Sequence, residues 1–249
     1  MKKPAYSCLA IAILITSGNL SAQSDNIQRV SNFAKGTAGW RSVRIDKKIP
    51  PTVFKAKVID GVPAIEAHAV KSMALLTRKL SVNLIKTPVL CWRWRVSDIV
   101  SAAYIAKKSG DDQAARVYLG VDLPNSAIGL GTRVKLALAR SRGGNDIPDG
   151  AINYVWDNRF AVGAVRDNIY TKQAKIIVMQ SGGAQKNKWV NERRNLRNDM
   201  QKQFKTTKGK ITSIAISSDT DNTGETVTAA FADLHFVGSN AKCRFRTSS

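Results

Sequence analysis

Four groups of residues in this sequence have types and spacings that can do chemistry. Asp111 and Asp112 are adjacent, and Arg116 follows four positions after Asp112, so on an extended strand Asp112 and Arg116 share a face. A cation beside paired carboxylates can hold one of them ionised, which makes Asp111 and Asp112, with Glu192 and Asp233 further on, candidates for general acid and base. Adjacent Asp residues at a strand start serve a turn equally well. Trp92-Arg93-Trp94-Arg95 puts both indoles on one strand face and both guanidinium groups on the other, and Tyr154 and Trp156 alternate in the same way. A wall of Trp92, Trp94, Tyr154 and Trp156, flanked by Arg93 and Arg116, would stack on sugar rings and pair with anionic groups. The same rings could instead fill a core between two sheets. Lastly, Asp219, Asp221 and Asn222 lie in a Gly-containing loop, a set of oxygen donors suited to Ca²⁺. Asx-turns in a plain hairpin have the same composition.

Other chemistry leaves no trace. There is no Gly-x-Ser-x-Gly, His-Glu-x-x-His or Gly-rich phosphate loop. His68 and His235 are expected to be packed or exposed side chains. No cofactor-binding motif is present, so a structural Ca²⁺ is the one non-protein group the residues suggest.

The elements that must carry these residues are mostly strands. Lys79 to Leu84 alternates strictly, and Val89 to Val96, Ala114 to Asp122, Ile152 to Trp156, Ala174 to Gln180, Lys188 to Asn195, Ile211 to Ser217 and Val227 to Val237 read as further strands. Earlier segments at 42–45, 54–59, 64–69 and 74–78 are short and bounded by Gly, Pro or charge. Two stretches have helical spacing. In the first, Leu130 to Arg140, Leu130, Val134, Ala137 and Leu138 recur; in the second, Leu196 to Lys205, Leu196, Met200 and Phe204 do. Strand–helix alternation is missing, which argues against a doubly wound parallel sheet. The expectation is all-β: an antiparallel β-sandwich of jelly-roll type with two short helices, a closed barrel being the alternative.

Residues 1–22 read as a secretory signal peptide, with Lys2 and Lys3, then the short apolar run Leu9 to Ile15, then small and polar residues. No later run is long and apolar enough to span a bilayer. The rest, 23–249, shows no composition break and is expected to be one β-sandwich domain. The chain has 249 residues and a net charge of +21. Losing Lys2 and Lys3 leaves 37 basic against 18 acidic residues, a net +19. Cleavage also removes Cys8, leaving Cys91 and Cys243 in an oxidising periplasmic or external compartment. There they could be bridged, or remain a buried thiol in a strand and an exposed thiol in a tail. The basic residues are scattered, and export disfavours nucleic acid as a partner.

The segments WRWRV, GDDQAARVYL, INYVW, KWVNERRNLRNDM and SDTDNTG followed by ADLHF occur in an order and spacing that resemble the bacterial domain-of-unknown-function family 3047, from about Trp40 to Val237. Trp92, Arg93, Trp94, Asp111, Asp112 and Arg116 fall on its first two motifs, and Tyr154, Trp156, Glu192, Asp219, Asp221, Asn222 and Asp233 on later ones. Cys91 stands where the family pattern commonly has a small residue. The resemblance implies an exported bacterial β-sandwich reminiscent of sugar-binding modules, with no established activity. Together these readings predict a non-catalytic binding module for a neutral or anionic glycan, or another anionic envelope ligand, with contact to an anionic membrane surface as a further role for the charge. The competing expectation is an envelope glycan hydrolase or lyase working through the Asp and Glu candidates.

Overall fold

The computed structural model describes residues 26–143 and 147–246. The expected signal peptide at 1–22 lies outside them. Within them the chain forms thirteen strands and two α-helices: β1 (Gln28–Arg29), β2 (Arg41–Val43), β3 (Val53–Ile59), β4 (Val62–Val70), β5 (Leu75–Val82), β6 (Val89–Val96), β7 (Gln113–Asp122), α1 (Leu130–Gly143), β8 (Gly150–Asp157), β9 (Val165–Asn168), β10 (Thr171–Ser181), β11 (Val190–Asn195), α2 (Leu196–Phe204), β12 (Lys210–Asp219) and β13 (Thr226–Val237). They make two sheets packed face to face, the β-sandwich that the alternating strands predicted. One sheet has the order β11-β6-β13-β4-β3, with β1 added to β13; the other has the order β2-β5-β12-β7-β8-β10-β9. The segments expected at 74–78 and 79–84 are one strand, β5, while β1 and β9 are too short to have left a periodic signal.

The expected all-antiparallel pairing needs one correction: β10 runs parallel to β8. The connection between them, 158–170, is long enough to carry the chain back to its starting end, which a parallel pair requires. Along that connection β9 pairs antiparallel with the far side of β10 and covers the sheet edge.

The core sits between the sheets. From β6 it takes Leu90, Trp92, Trp94 and Val96; from β7, Val117 and Leu119; from β8, Ile152, Tyr154 and Trp156. The Trp92 ring stacks on Tyr154 with centroids 5.2 Å apart, and Trp94 meets Trp156 at 5.8 Å. These contacts join the two sheets ring to ring, a geometry worth about 0.5–1.5 kcal/mol per pair beyond the area buried. Helix α2 closes one end. Asn195 caps it by accepting from the Asn198 N–H, and Leu196, Met200 and Phe204 are buried at the predicted spacing. Among the described residues no helix is long and apolar enough to cross a membrane.

Cys91 and Cys243 are bridged, with Cα atoms 5.8 Å apart across a sequence separation of 152. The bridge fastens the C-terminal tail over the outer face of the first sheet, where Ala241 and Phe245 pack beside Val89 and Val237. Replacing both cysteines with serine is expected to lower stability by about 2–4 kcal/mol. Urea unfolding of the two proteins under non-reducing conditions measures this. Equal midpoints would mean that the tail's other contacts hold it unaided.

Candidate functional site

The outer face of the seven-stranded sheet carries the most unusual chemistry. Alternation sends Val117 and Leu119 of β7 into the core, so Arg116 and Tyr118 point outward. Their cross-strand partners on that face are Ser217 and Ala215 of β12 and, for Tyr118, Asn153 of β8. Where β7 and β12 meet near their ends the register slips: Arg116 opposes Ser217, but Gln113 opposes Asp219. This bulge sets Asp219 beside Arg116, with Arg116 Nη2 3.3 Å from Asp219 Oδ2 and 3.7 Å from Asp111 Oδ1.

Four carboxylates gather there. Asp112 is fully buried and accepts three hydrogen bonds: from Asn222 N at 3.3 Å, from Asn222 Nδ2 at 3.1 Å and from Thr223 N at 2.7 Å. It therefore anchors the β12–β13 turn. Asp219 is held more loosely, by Gln113 N at 3.3 Å and by Arg116. Asp111 accepts from Gln113 Nε2 and Asn168 Nδ2, both at 3.5 Å. Burial, countered by Arg116 but reinforced by the charges of Asp112, Asp111 and Asp221, pushes the Asp219 carboxyl up to about 8. Asp221, half-buried, is raised by burial and then by Asp112. The cluster thus sets a carboxyl group that keeps its proton near neutral pH close to Asp112, which accepts three hydrogen bonds.

Asp112, Asp219 and Asp221 bring ligand oxygens within 4.8 Å of one another and are the residues that could hold a hard cation such as Ca²⁺. Asn222 sits against two of these carboxylates. Its Nδ2 faces Asp112 and Asp221, so it donates to the carboxylates. Arg116 and the proton on Asp219 offset the negative charge that a cation would otherwise meet.

A cleft of about 610 Å³ adjoins this cluster, between α1 and the outer faces of β7, β8 and β10. Tyr118, Thr132, Lys135, Leu136, Tyr170 and Gln173 are among its lining residues. Tyr170 links cleft and cluster. It is 60% exposed, yet its phenol is raised by partial burial and by the carboxylates of Asp111, Asp221 and Asp112. Neither Tyr118 nor Tyr170 was singled out by sequence reasoning. Tyr118 carried a signal, two positions after Arg116 on the same strand face; Tyr170 lies in a turn with no periodicity to mark it.

The structure corrects the expected aromatic wall. Trp92, Trp94, Tyr154 and Trp156 are each at most 1% exposed and pack against one another, so no ring face is open to a ligand. Large rings joining two sheets remove far more apolar area from water there than on a surface. Arg93 also fails as a ligand contact. It lies on the outer face of the other sheet, 2.6 Å from Asp233 and under the C-terminal tail, where it donates to the Arg246 carbonyl at 2.7 Å. Of the expected ligand residues, only Arg116 reaches the cluster, and it is itself buried among carboxylates.

The four acid–base candidates are not brought into one cleft. Asp111 and Asp112 meet, but Asp233 is ion-paired on the opposite side of the sandwich. Glu192, on β11, faces inward and accepts from Trp94 Nε1 at 3.2 Å and from Gln180 Nε2 at 2.7 Å. Burial raises its carboxyl to about 7, against the pull of those two bonds.

A model of the family described as "Protein of unknown function (DUF3047)" matches residues 38–235. No curated protein matches the chain in sequence. Among solved structures it is similar to a family GH12 endoglucanase 3 from Trichoderma harzianum, at 5% identity and a TM-score of 0.38, covering 81% of this chain and 98% of that one. It is also similar to a family 12 xyloglucanase from Bacillus licheniformis, at 11% identity and a TM-score of 0.40, covering 82% and 89% of the two chains. A third is a family 30 carbohydrate-binding module from a cellulosomal cellulase of Clostridium thermocellum, at 10% identity and a TM-score of 0.31, covering 81% and 99%.

Proposed function

The chain belongs to the DUF3047 family, and we propose that it is an exported envelope protein that binds a glycan, or another anionic envelope ligand, without transforming it. The observation that carries this reading is the cleft under α1, where two tyrosines stand among Thr132, Lys135, Lys172 and Gln173. Sugar rings offer C–H faces to tyrosine, hydroxyls to amide and hydroxyl side chains, and carboxylate or phosphate substituents to lysine. The neighbouring carboxylates favour binding over turnover, because Asp112 and Asp219 are buried and already engaged.

The second reading, a glycan hydrolase or lyase, draws on the proton retained by Asp219 and on Tyr170, which joins the cleft to the carboxylates. Titration calorimetry with anionic and neutral envelope glycan fragments, coupled to product analysis, separates the two. Binding without products supports the module. Products whose release is abolished by Asp219→Asn would replace it with the enzyme, and no binding at all would remove both. Tyr170→Ala is expected to weaken binding roughly threefold to tenfold, the worth of one stacking contact, with no loss of stability, since the ring is exposed. Lys172→Glu should weaken anionic ligands only. Unchanged affinity in both variants would move the site elsewhere.

A further inference from the structure

We propose that α1 docks the protein on an anionic membrane surface through the side of the helix turned away from the cleft. The predicted helix is present, but its regularly spaced apolar residues face away from the protein. Leu130 is 75% exposed, Val134 62% and Leu138 52%. They recur every fourth residue and form one continuous outward stripe. The residues turned toward the sheet are Thr132, Leu136, Ala139 and Arg140, all only half-buried. An apolar stripe on the solvent side of a helix is an unfavourable place for three large side chains unless something covers it.

The charges beside the stripe indicate what does. Arg133 and Lys135 are exposed and fall on opposite flanks of it at 3.6 residues per turn. The helix sequence, LGTRVKLALARSRG, contains no Asp or Glu. Apolar residues bordered by cations, with acids excluded, match an interfacial helix that sinks its stripe into the headgroup boundary while Arg and Lys reach the phosphates. A second copy of the chain fits poorly, since two such helices would bring like charges together. The net positive charge, +21 for the whole chain and +19 without residues 1–22, draws the molecule toward the same surface, but the stripe sets which face meets it.

The test keeps charge constant. Co-sedimentation with large vesicles of phosphatidylcholine alone, and of phosphatidylcholine with phosphatidylglycerol, is compared for the full chain and for Val134→Ser/Leu138→Ser. Both substituted positions are exposed, so the variant is expected to unfold at the same temperature as the parent, and circular dichroism checks this. The parent should partition onto the anionic vesicles and the variant roughly tenfold less, because two inserted apolar side chains are lost. Arg133→Glu, which lies outside the cleft lining, should weaken binding to the anionic vesicles as well. Equal partitioning of parent and serine variant would overturn the proposal, showing attraction by net charge alone. So would absence of vesicle binding together with a dimer that the serine variant breaks, since the stripe would then be a self-association surface.

Discussion

Asp219 alone is expected to lower wild-type stability by about 3–5 kcal/mol between about pH 5 and about pH 8, and Asp219→Asn is expected to be free of that share of the loss. Asp219 holds its proton up to about 8 in the folded state, whereas in the unfolded chain it ionises near the ordinary carboxylate value of 3.8. Below that ordinary value both states carry the proton and nothing is lost. As pH rises through the interval the unfolded chain gives up the proton first, which favours unfolding by up to about 1.4 kcal/mol per pH unit. Above about 8 the folded state deprotonates too, and the loss levels off. Glu192, raised to about 7, adds a decline of the same sign that ends earlier. Asparagine at 219 keeps the shape and cannot ionise, so the variant should be the more stable protein at high pH and close to wild type at low pH. Urea unfolding across the pH range measures both curves. Wild-type stability that rises toward pH 8 would mean that Asp219 is ionised when folded, and would remove the protonated acid from the site.

Asp233→Asn is expected to cost about 3–5 kcal/mol. Arg93 and Asp233 are both nearly buried and 2.6 Å apart, and Asp233 also accepts from Arg246 N at 3.1 Å. Asparagine tolerates the positive φ of 54° at this position and can still accept from the tail, so the change removes mainly the charge. Arg93 is then a buried cation whose principal counter-charge is gone. Adding Arg93→Met should recover most of the loss, because an apolar pair of similar volume carries no desolvation penalty. Denaturant midpoints of the two single variants and the double variant complete the cycle. If Asp233→Asn stayed within about 0.5 kcal/mol of wild type, the pair would not be structural, and Arg93 would return as a candidate ligand contact.

Both carboxylates at the centre of these predictions stand at breaks in strand register, and there sequence reading falls short. Simple alternation along β13 would send Asp233 to the face opposite Ala232. An extra residue between Ala232 and His235 relative to β6 turns it outward to Arg93 instead. The slip between β7 and β12 likewise lets Ala114 and Ala115 both enter the core and brings Asp219 beside Arg116. A bulge belongs to a pair of strands, so one strand's pattern cannot announce it.

Local pattern was enough for what is local. The two-residue period of β6 and β8, the spacing of Leu196, Met200 and Phe204, and the grouping of Trp92 with Trp94 and of Tyr154 with Trp156 on single faces are properties of short stretches of chain, and each is present in the structure. Alternation separates two faces of a strand but does not say which one meets another sheet. Packing decided that the indoles lie inside, because only there do they shed most of their contact with water. Folding also decided that Asp112 meets Asn222, 110 positions away, that Glu192 and Asp233 end up apart from it, and that the stripe of α1 looks outward. Such meetings depend on strand order and register across the whole sandwich, which arise from contacts between segments distant in sequence.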